Sequence, residues 1–255
     1  MRIEPYYEVR AIIMLDKPKE SKAVIFGASG GIGRALAART AASEKFEHVY
    51  GVSRRANIES DIGVCAIHAD VTDGEGIQQA AQSVAGPVQR LIITTGMLHD
   101  AQQAPEKTWR DFDWDALSRS FVINAVTPAI ILKHFIPLIP RKGRSEIAIL
   151  SARVGSINDN KTGGWYAYRA SKAALNMLIK TVSVELARTH PECICVALHP
   201  GTVDTGMSKP FQARLAPEKL FTPAFAADRL ISVLEGLNSS DSGGFFAWDG
   251  TTIPY

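Results

Sequence analysis

At 255 residues with 46% hydrophobic side chains, the chain has enough apolar material for one large α/β core. A formal net charge of +2, from 28 basic and 26 acidic residues, lacks the basic surplus of a nucleic-acid binder. The longest apolar run near the N-terminus, Ala11 to Leu15, is too short for a signal-peptide core or a membrane span, so a soluble cytoplasmic protein is expected.

Residues 1–20 read as an N-terminal extension, and an extra strand, a flexible arm and a start-site artefact stay equally open for it. Beyond it, apolar runs of strand length alternate with stretches of helical period. "KAVIFG" is followed by "GIGRALAARTAA", then "HVYGVSR", "VCAIHAD", a helix near Ile77 to Val84, and "RLIITTG". That alternation predicts βαβ units and a parallel sheet.

The second half continues with a long helix from Leu117 to Phe135 and the strand "SEIAILSA". A helix over 166–188, the strand "CICVALHPG", a helix from Ala226 to Leu237 and the run "GGFFAWDG" complete it. The strands are nearly all apolar, as expected when helices cover both faces of a sheet. No linker or repeat divides the chain, so residues 21–255 are expected to form one doubly wound domain, with a substrate loop near 204–225. Cys193 and Cys195 lie two apart in a strand, and with Cys65 they make an odd count without CxxC, which favours small, packed, reduced residues over ligands. The six histidines show no metal spacing, and no metal is expected.

Gly27, Gly31 and Gly33 fall between the first strand and its helix. Glycine there permits a tight turn and close backbone approach to a pyrophosphate, while the helix N-terminus supplies free N–H groups and a positive dipole end. Such a turn needs no ligand, but its place in a first βαβ unit makes it a dinucleotide signal. About twenty residues on, where a carboxylate would bind the ribose hydroxyl of NAD, the chain has "GVSRR". Ser53 takes the acid position and Arg54 and Arg55 follow, an arrangement that suits a 2′-phosphate and favours NADP(H), with NAD(H) as the alternative; two solvated arginines are the plain reading.

The G-x-x-x-G-x-G spacing resembles the short-chain dehydrogenase/reductase family. The likeness covers residues 22 to about 250 and implies a Rossmann fold with a mostly parallel seven-stranded sheet. It implies that Ser29 and Ile32 share the phosphate turn with the glycines, that Asp70 and Val71 hold the adenine, and that Gly96 contacts the cofactor. A plain N-cap is the competing explanation of Asp70 or Thr72. "HPGTVDT" resembles the family's P-G-x-x-x-T, which gives Pro200 the loop's shape, Val203 the nicotinamide amide, and Thr205 the amide or a phosphate. Departures are Phe26 in place of the threonine before the first glycine, and "ITTG" in place of N-N-A-G.

Reducing a ketone needs a proton for the growing alkoxide, and a phenol of pKa about 10 serves at neutral pH when a cation favours its phenolate. Tyr168 and Lys172 lie four apart, on one helix face, whereas Tyr166 and Lys172 are separated by about 600° of rotation. By itself this spacing describes many amphipathic helices, and Leu175, Ile179, Val182 and Leu186 mark the buried stripe of this one. The resemblance makes Tyr168 the acid, Lys172 the group that lowers its pKa and binds the nicotinamide ribose, and Asn124 the end of a proton relay; Asn124 also reads as a polar residue distorting a buried helix.

Ser151 is taken as the catalytic serine through a local shift of the strand end, because the family position counted from Gly155 is Ala152. Under strict register Ser156 or water replaces it. "SARVGSI", "GGWYAYRASKAALNM" and "WDG" are similar to C-factor-like members, some associated with intercellular signalling. The resemblance therefore implies a carbonyl or alcohol substrate and a homodimer or homotetramer paired through helices 117–135 and 166–188, with no nucleic-acid or membrane partner. The alternative is a dinucleotide-binding signalling or regulatory protein with little catalysis.

Overall fold

In the computed structural model, the strands that read as unbroken apolar runs lie at the centre of one sheet. The structure describes residues 21–54, 63–100 and 103–255; residues 1–20 and Arg55 lie outside the described residues. β1 (Lys22–Phe26), β4 (Val88–Ile93), β5 (Ser145–Leu150) and β6 (Cys193–His199) are buried along almost their whole length. β2 (His48–Ser53) and the more exposed β3 (Cys65–His68) form one flank, and β9 (Phe245–Ala247) the other. The order is β3-β2-β1-β4-β5-β6-β9, with every pair parallel. An antiparallel bridge joins Phe246 of the last strand to Thr252.

Parallel strands need covered crossovers, and two apolar layers supply the cover. On one face α1 (Gly31–Ala42) and α6 (Pro223–Gly236) pack Leu36, Leu230 and Leu234 onto Ile25, Ile92 and Val196. On the other, α2 (Gly74–Val84), α4 (Thr127–Phe135) and α5 (Tyr166–Thr189) pack Ile77, Phe135 and Ile179 onto Phe26, Leu91 and Ile147. Strand order reverses between β1 and β4, which opens a crevice at the carboxyl ends of the strands, where open α/β sheets place ligands.

Four parts of the chain differ from the sequence expectation. The long helix is α3 (Trp114–Phe121), a π turn over Val122–Val126, then α4. α2 and α6 begin three residues earlier than their apolar periods, because the Asp73 side chain accepts from Glu75 N and the Thr222 side chain from Phe225 N. The loop near 204–225 is bracketed at its start and pinned within by a small parallel pair, β7 (Thr202–Val203) with β8 (Leu220–Phe221).

The stretch Trp114–Leu138 is apolar and long enough, by composition, to cross a bilayer, with a mean hydropathy of 1.6. In the fold its buried side chains, among them Ile131, Leu132 and Phe135, belong to the sheet's apolar layer. Cys193 and Cys195 are buried with free thiols, and burial raises both pKa values, which suits packing rather than reactivity. At the amino ends of β4 and β5, Arg90 Nε donates to Glu146 Oε2 at 2.6 Å with both side chains buried, and the guanidinium lies over the Phe46 ring at 5.1 Å.

Candidate active site

The turn after β1 is held by backbone. Gly27 has φ +79°, its N–H donates to Val52 O at 2.9 Å, and its carbonyl accepts from Gly30 N at 2.9 Å. A Cβ on Gly33 would collide with Gly27 O, and one on Gly31 would lie 2.8 Å from Thr205 Cγ2. Gly30 begins α1 with no side-chain cap. A cradle that Cβ atoms would fill, at an uncapped helix N-terminus, fits a pyrophosphate. The carbonyl of Phe26, just before the turn, is held from the residue that follows β4: Thr94 Oγ1 donates to Phe26 O at 2.7 Å. Ser29 and Ile32 are half-buried in the same turn.

Ser53 is buried at the end of β2, its carbonyl accepting from Ala69 N at 3.0 Å, and Arg54 is exposed beside it. Asp70 Oδ1 accepts from Thr72 N at 2.9 Å and from Thr72 Oγ1 at 2.8 Å. Those bonds, with a smaller contribution from Arg54, hold its carboxyl below the usual carboxylate range. The N-cap of α2 is Asp73, so neither Asp70 nor Thr72 caps the helix. Val71 is half-buried between them and the apolar layer. A side chain at Gly96 would lie 3.4 Å from both Asn124 Oδ1 and Lys172 Nζ, so backbone after β4 meets α5 closely.

Tyr168, Lys172 and Asn176 recur every four residues along one face of α5. Lys172 is 3% exposed, donates from Nζ to Leu150 O at 2.8 Å, and places Nζ 6.0 Å from the Tyr168 ring centroid. Burial dominates both groups: the phenol is pushed up to about 12 and the ammonium down to about 7. The protein chain by itself thus does not produce the lowered phenol pKa expected from the Lys172 charge.

Asn124 is fully buried within the π turn, and its side chain is hydrogen-bonded beyond its own helix. Oδ1 accepts from Met97 N at 2.8 Å, while Nδ2 donates to Met97 O at 2.9 Å and to Ser171 Oγ at 3.0 Å. It ties the loop after β4 to α5 directly beside Lys172.

The β5–β6 register runs unbroken from Ser145↔Cys193 to Leu150↔Leu198, and Ser151 N continues it by donating to Leu198 O at 2.8 Å. No local shift of the strand end occurs. Ser151 Oγ donates to Asn176 Oδ1 at 2.6 Å, and Asn176 Nδ2 donates to Gly155 O at 3.4 Å. The hydroxyl proton of Ser151 is thereby committed to α5, and Ala152 follows it, half-buried. Ser156 is buried and accepts from Asp159 N at 3.1 Å.

The loop near 204–225 packs against this end through Phe211 and Met207. Pro200 is buried; Val203 O accepts from Ser208 Oγ, and Thr205 N donates to the same hydroxyl at 3.3 Å. Phe211 packs on Trp165 with ring centroids 5.0 Å apart and on His99 at 5.7 Å, and Trp165 stands 6.5 Å from the Tyr168 ring. His99 Nε2 also bonds Met207 O at 3.0 Å. Tyr166 instead packs on Phe112, at 4.9 Å. The segment that leads into α5 is bound by Arg169, whose guanidinium donates to Gly164 O at 2.9 Å and Thr162 Oγ1 at 2.9 Å. Asn176 and Arg169 were not singled out from the sequence, and Thr94 entered only as part of the "ITTG" departure; Arg169, adjacent to Tyr168, had a local signal.

Residues 21–216 match the family model described as short chain dehydrogenase. The chain belongs to the short-chain dehydrogenase family. Among members of that family, the C-signal protein of Myxococcus xanthus is 36% identical over 180 residues, covering 69% of this chain and 98% of that protein. An uncharacterized oxidoreductase of Schizosaccharomyces pombe is 28% identical over 256 aligned residues, covering 91% of this chain and 96% of that one. Among solved structures, the NADPH-bound carbonyl reductase from chicken fatty liver superposes with a TM-score of 0.79 at 26% identity, over 92% of this chain and 94% of that one. The short-chain dehydrogenase sheet order and the crevice at its switch point are therefore shared features, and this chain is an oxidoreductase by family.

Proposed function

We propose that this short-chain dehydrogenase is an NADPH-dependent carbonyl reductase, acting in reverse as an alcohol dehydrogenase, on a small-molecule substrate. The observation that carries the reading is the single α5 face that sets the Lys172 amine 6.0 Å from the Tyr168 ring centroid and close to Gly96, in the loop that follows β4. Gly27, Gly31, Gly33, Thr205 and Arg54 would hold the phosphates of NADPH, which supplies the two electrons of the reduction.

The chain's own part is proton handling and shape. A phenol pushed up to about 12 stays protonated at neutral pH and so can hydrogen-bond to a carbonyl oxygen and give up its proton as charge develops there. Lys172, pushed down to about 7, is poised to exchange a proton near neutrality. Its Nζ is fixed by Leu150 O, and Gly96 brings Asn124 alongside. Trp165 and Phe211 wall the entrance and favour an apolar substrate body. Arg54 and the NADPH-bound carbonyl reductase neighbour support NADP(H) over NAD(H). We further place the protein in the cytoplasm as a homodimer or homotetramer, paired through the exposed Phe121, Val122, Met177 and Val184 of the helical face. Neither nucleic acid nor membrane enters this reading.

Ala152 and the likeness to C-signal favour a second reading, a dinucleotide-binding signalling protein with little catalysis. NADPH consumption against a panel of aldehydes, ketones and quinones, with Tyr168→Phe alongside, decides between them. Turnover that collapses in Tyr168→Phe supports the reductase; tight NADPH binding with no turnover on any substrate supports the second reading.

A further inference from the structure

The first turn of α5 is entered through an uncommon backbone path. Gly163, Gly164 and Trp165 have φ of +64°, +67° and +53° in succession. Glycine takes this left-handed region freely, whereas a residue with a Cβ pays roughly 1–2 kcal/mol for it. Trp165 is held there by a distant residue: its N–H donates to Glu106 O at 2.6 Å. The carboxylate of the same residue accepts from Ala167 N at 3.3 Å through Oε2. Glu106 thus grips the N–H groups on both sides of Tyr166, the first helical residue, from a segment 61 positions upstream of Ala167.

This grip is buried and asymmetric. Glu106 is 5% exposed, and a carboxylate at that place also faces the positive end of α5. Its second oxygen, Oε1, has no partner and lines a cavity of about 360 Å³ with Gln103, whose Oε1 is likewise unpartnered. Tyr168 follows Ala167 directly, and Trp165 carries the ring between Tyr168 and Phe211. Strained backbone persists where its surroundings over-determine it, and such places concentrate at functional sites.

We propose that Glu106 is a positioning residue for the reaction, fixing the first turn of α5 and through it the Tyr168 hydroxyl and the Trp165 wall of the substrate pocket. The proposal rests on the reductase reading above, in which Tyr168 is the acid.

Three variants separate reach from charge. Glu106→Gln keeps an acceptor at the same reach and removes the charge. Glu106→Asp keeps the charge and draws the acceptor back by one methylene, and Glu106→Ala removes both; the backbone carbonyl that holds Trp165 remains in all three. Turnover is counted per NADPH-binding site, so unfolded protein does not enter the comparison. Glu106→Asp and Glu106→Ala are expected to lower kcat on the order of 10- to 100-fold, with the NADPH Kd within about twofold of wild type, since small misplacements of an acid cost this much. Glu106→Gln is expected to recover kcat to within about threefold, because an amide oxygen also accepts from Ala167 N–H. A cap that serves stability alone would lower the melting midpoint of the Asp and Ala variants and leave kcat per site unchanged. That outcome overturns the proposal, as does a Gln variant no better than Ala. Tyr168→Phe is measured in parallel: if it retains turnover, the acid assignment fails and the proposal with it. If it abolishes turnover while all Glu106 variants keep wild-type kcat, positioning alone fails.

Discussion

The Ser151 hydroxyl donates to Oδ1 of Asn176 at 2.6 Å, and Asn176 is oriented by its own bond from Nδ2 to Gly155 O. A serine with one proton, already given to a buried amide, is poorly placed to give it to a substrate. Removing a dedicated oxyanion donor costs about 10²- to 10³-fold in kcat. Ser151→Ala is expected to fall short of that, at less than about tenfold, and Ala152→Ser to raise kcat. Steady-state kinetics on one carbonyl substrate check both, and a Ser151→Ala loss as deep as that of Tyr168→Phe would return the serine to the reaction.

Lys172 gives a pH signature in stability. Its folded pKa is depressed to about 7 from 10.5, so between those values the unfolded chain binds the extra proton. Stability therefore rises with pH across that window, by at most about 1.4 kcal/mol per pH unit for one proton, and the burial penalty is complete below pH 7. Lys172→Met is expected to abolish turnover, and its melting midpoint relative to wild type is expected to be higher at pH 6 than at pH 9. Thermal melts of the two proteins across that range test the sign; a difference that grows with pH contradicts it.

Arg54 sits exposed after the buried Ser53, where a 2′-phosphate would lie. A charge-assisted hydrogen bond of about 1.5–3 kcal/mol, reduced by solvent, corresponds to a tenfold change or so in affinity. Arg54→Ala is expected to weaken NADPH binding by about tenfold and leave NADH binding unchanged. Fluorescence titration with both nucleotides measures the ratio, and an unchanged ratio removes the assignment.

Thr94 supports the glycine turn from the neighbouring strand through its bond to Phe26 O. Thr94→Val keeps the shape against Gly27 and Gly33 and deletes the bond. The cost expected is about 1 kcal/mol of stability, read by urea denaturation, with weaker NADPH binding. Full retention of both would mean that the turn is held by backbone alone.

The parallel sheet, the glycine turn and the Tyr168–Lys172 face were legible because each leaves a local trace: apolar runs between helical periods, glycines at fixed offsets, a four-residue step on a helix. What was not legible depends on contacts across the chain. Whether Ser151 or Ala152 met the substrate hinged on strand register, and the register is set by pairing with β6, more than forty residues away. The bond that steadies the Phe26 carbonyl likewise leaves no local trace, because its donor, Thr94, lies 68 positions on. The phenol pKa was misjudged for a related reason: a lysine at i+4 is visible in the sequence, but the burial that outweighs its charge belongs to the packed site.

The buried Arg90–Glu146 pair at the amino ends of β4 and β5 divides the labour along the sheet. Breaking one member costs about 3–5 kcal/mol, whereas replacing both by well-packed apolar groups is often neutral or stabilising. The crevice with Gly27, Tyr168 and Lys172 lies toward the opposite end of the same strands, three to four residues further on and so roughly 10–13 Å away. Changes at sites so far apart add nearly independently. The protein's robustness can therefore be retuned at its floor while its chemistry, at the roof, is left alone.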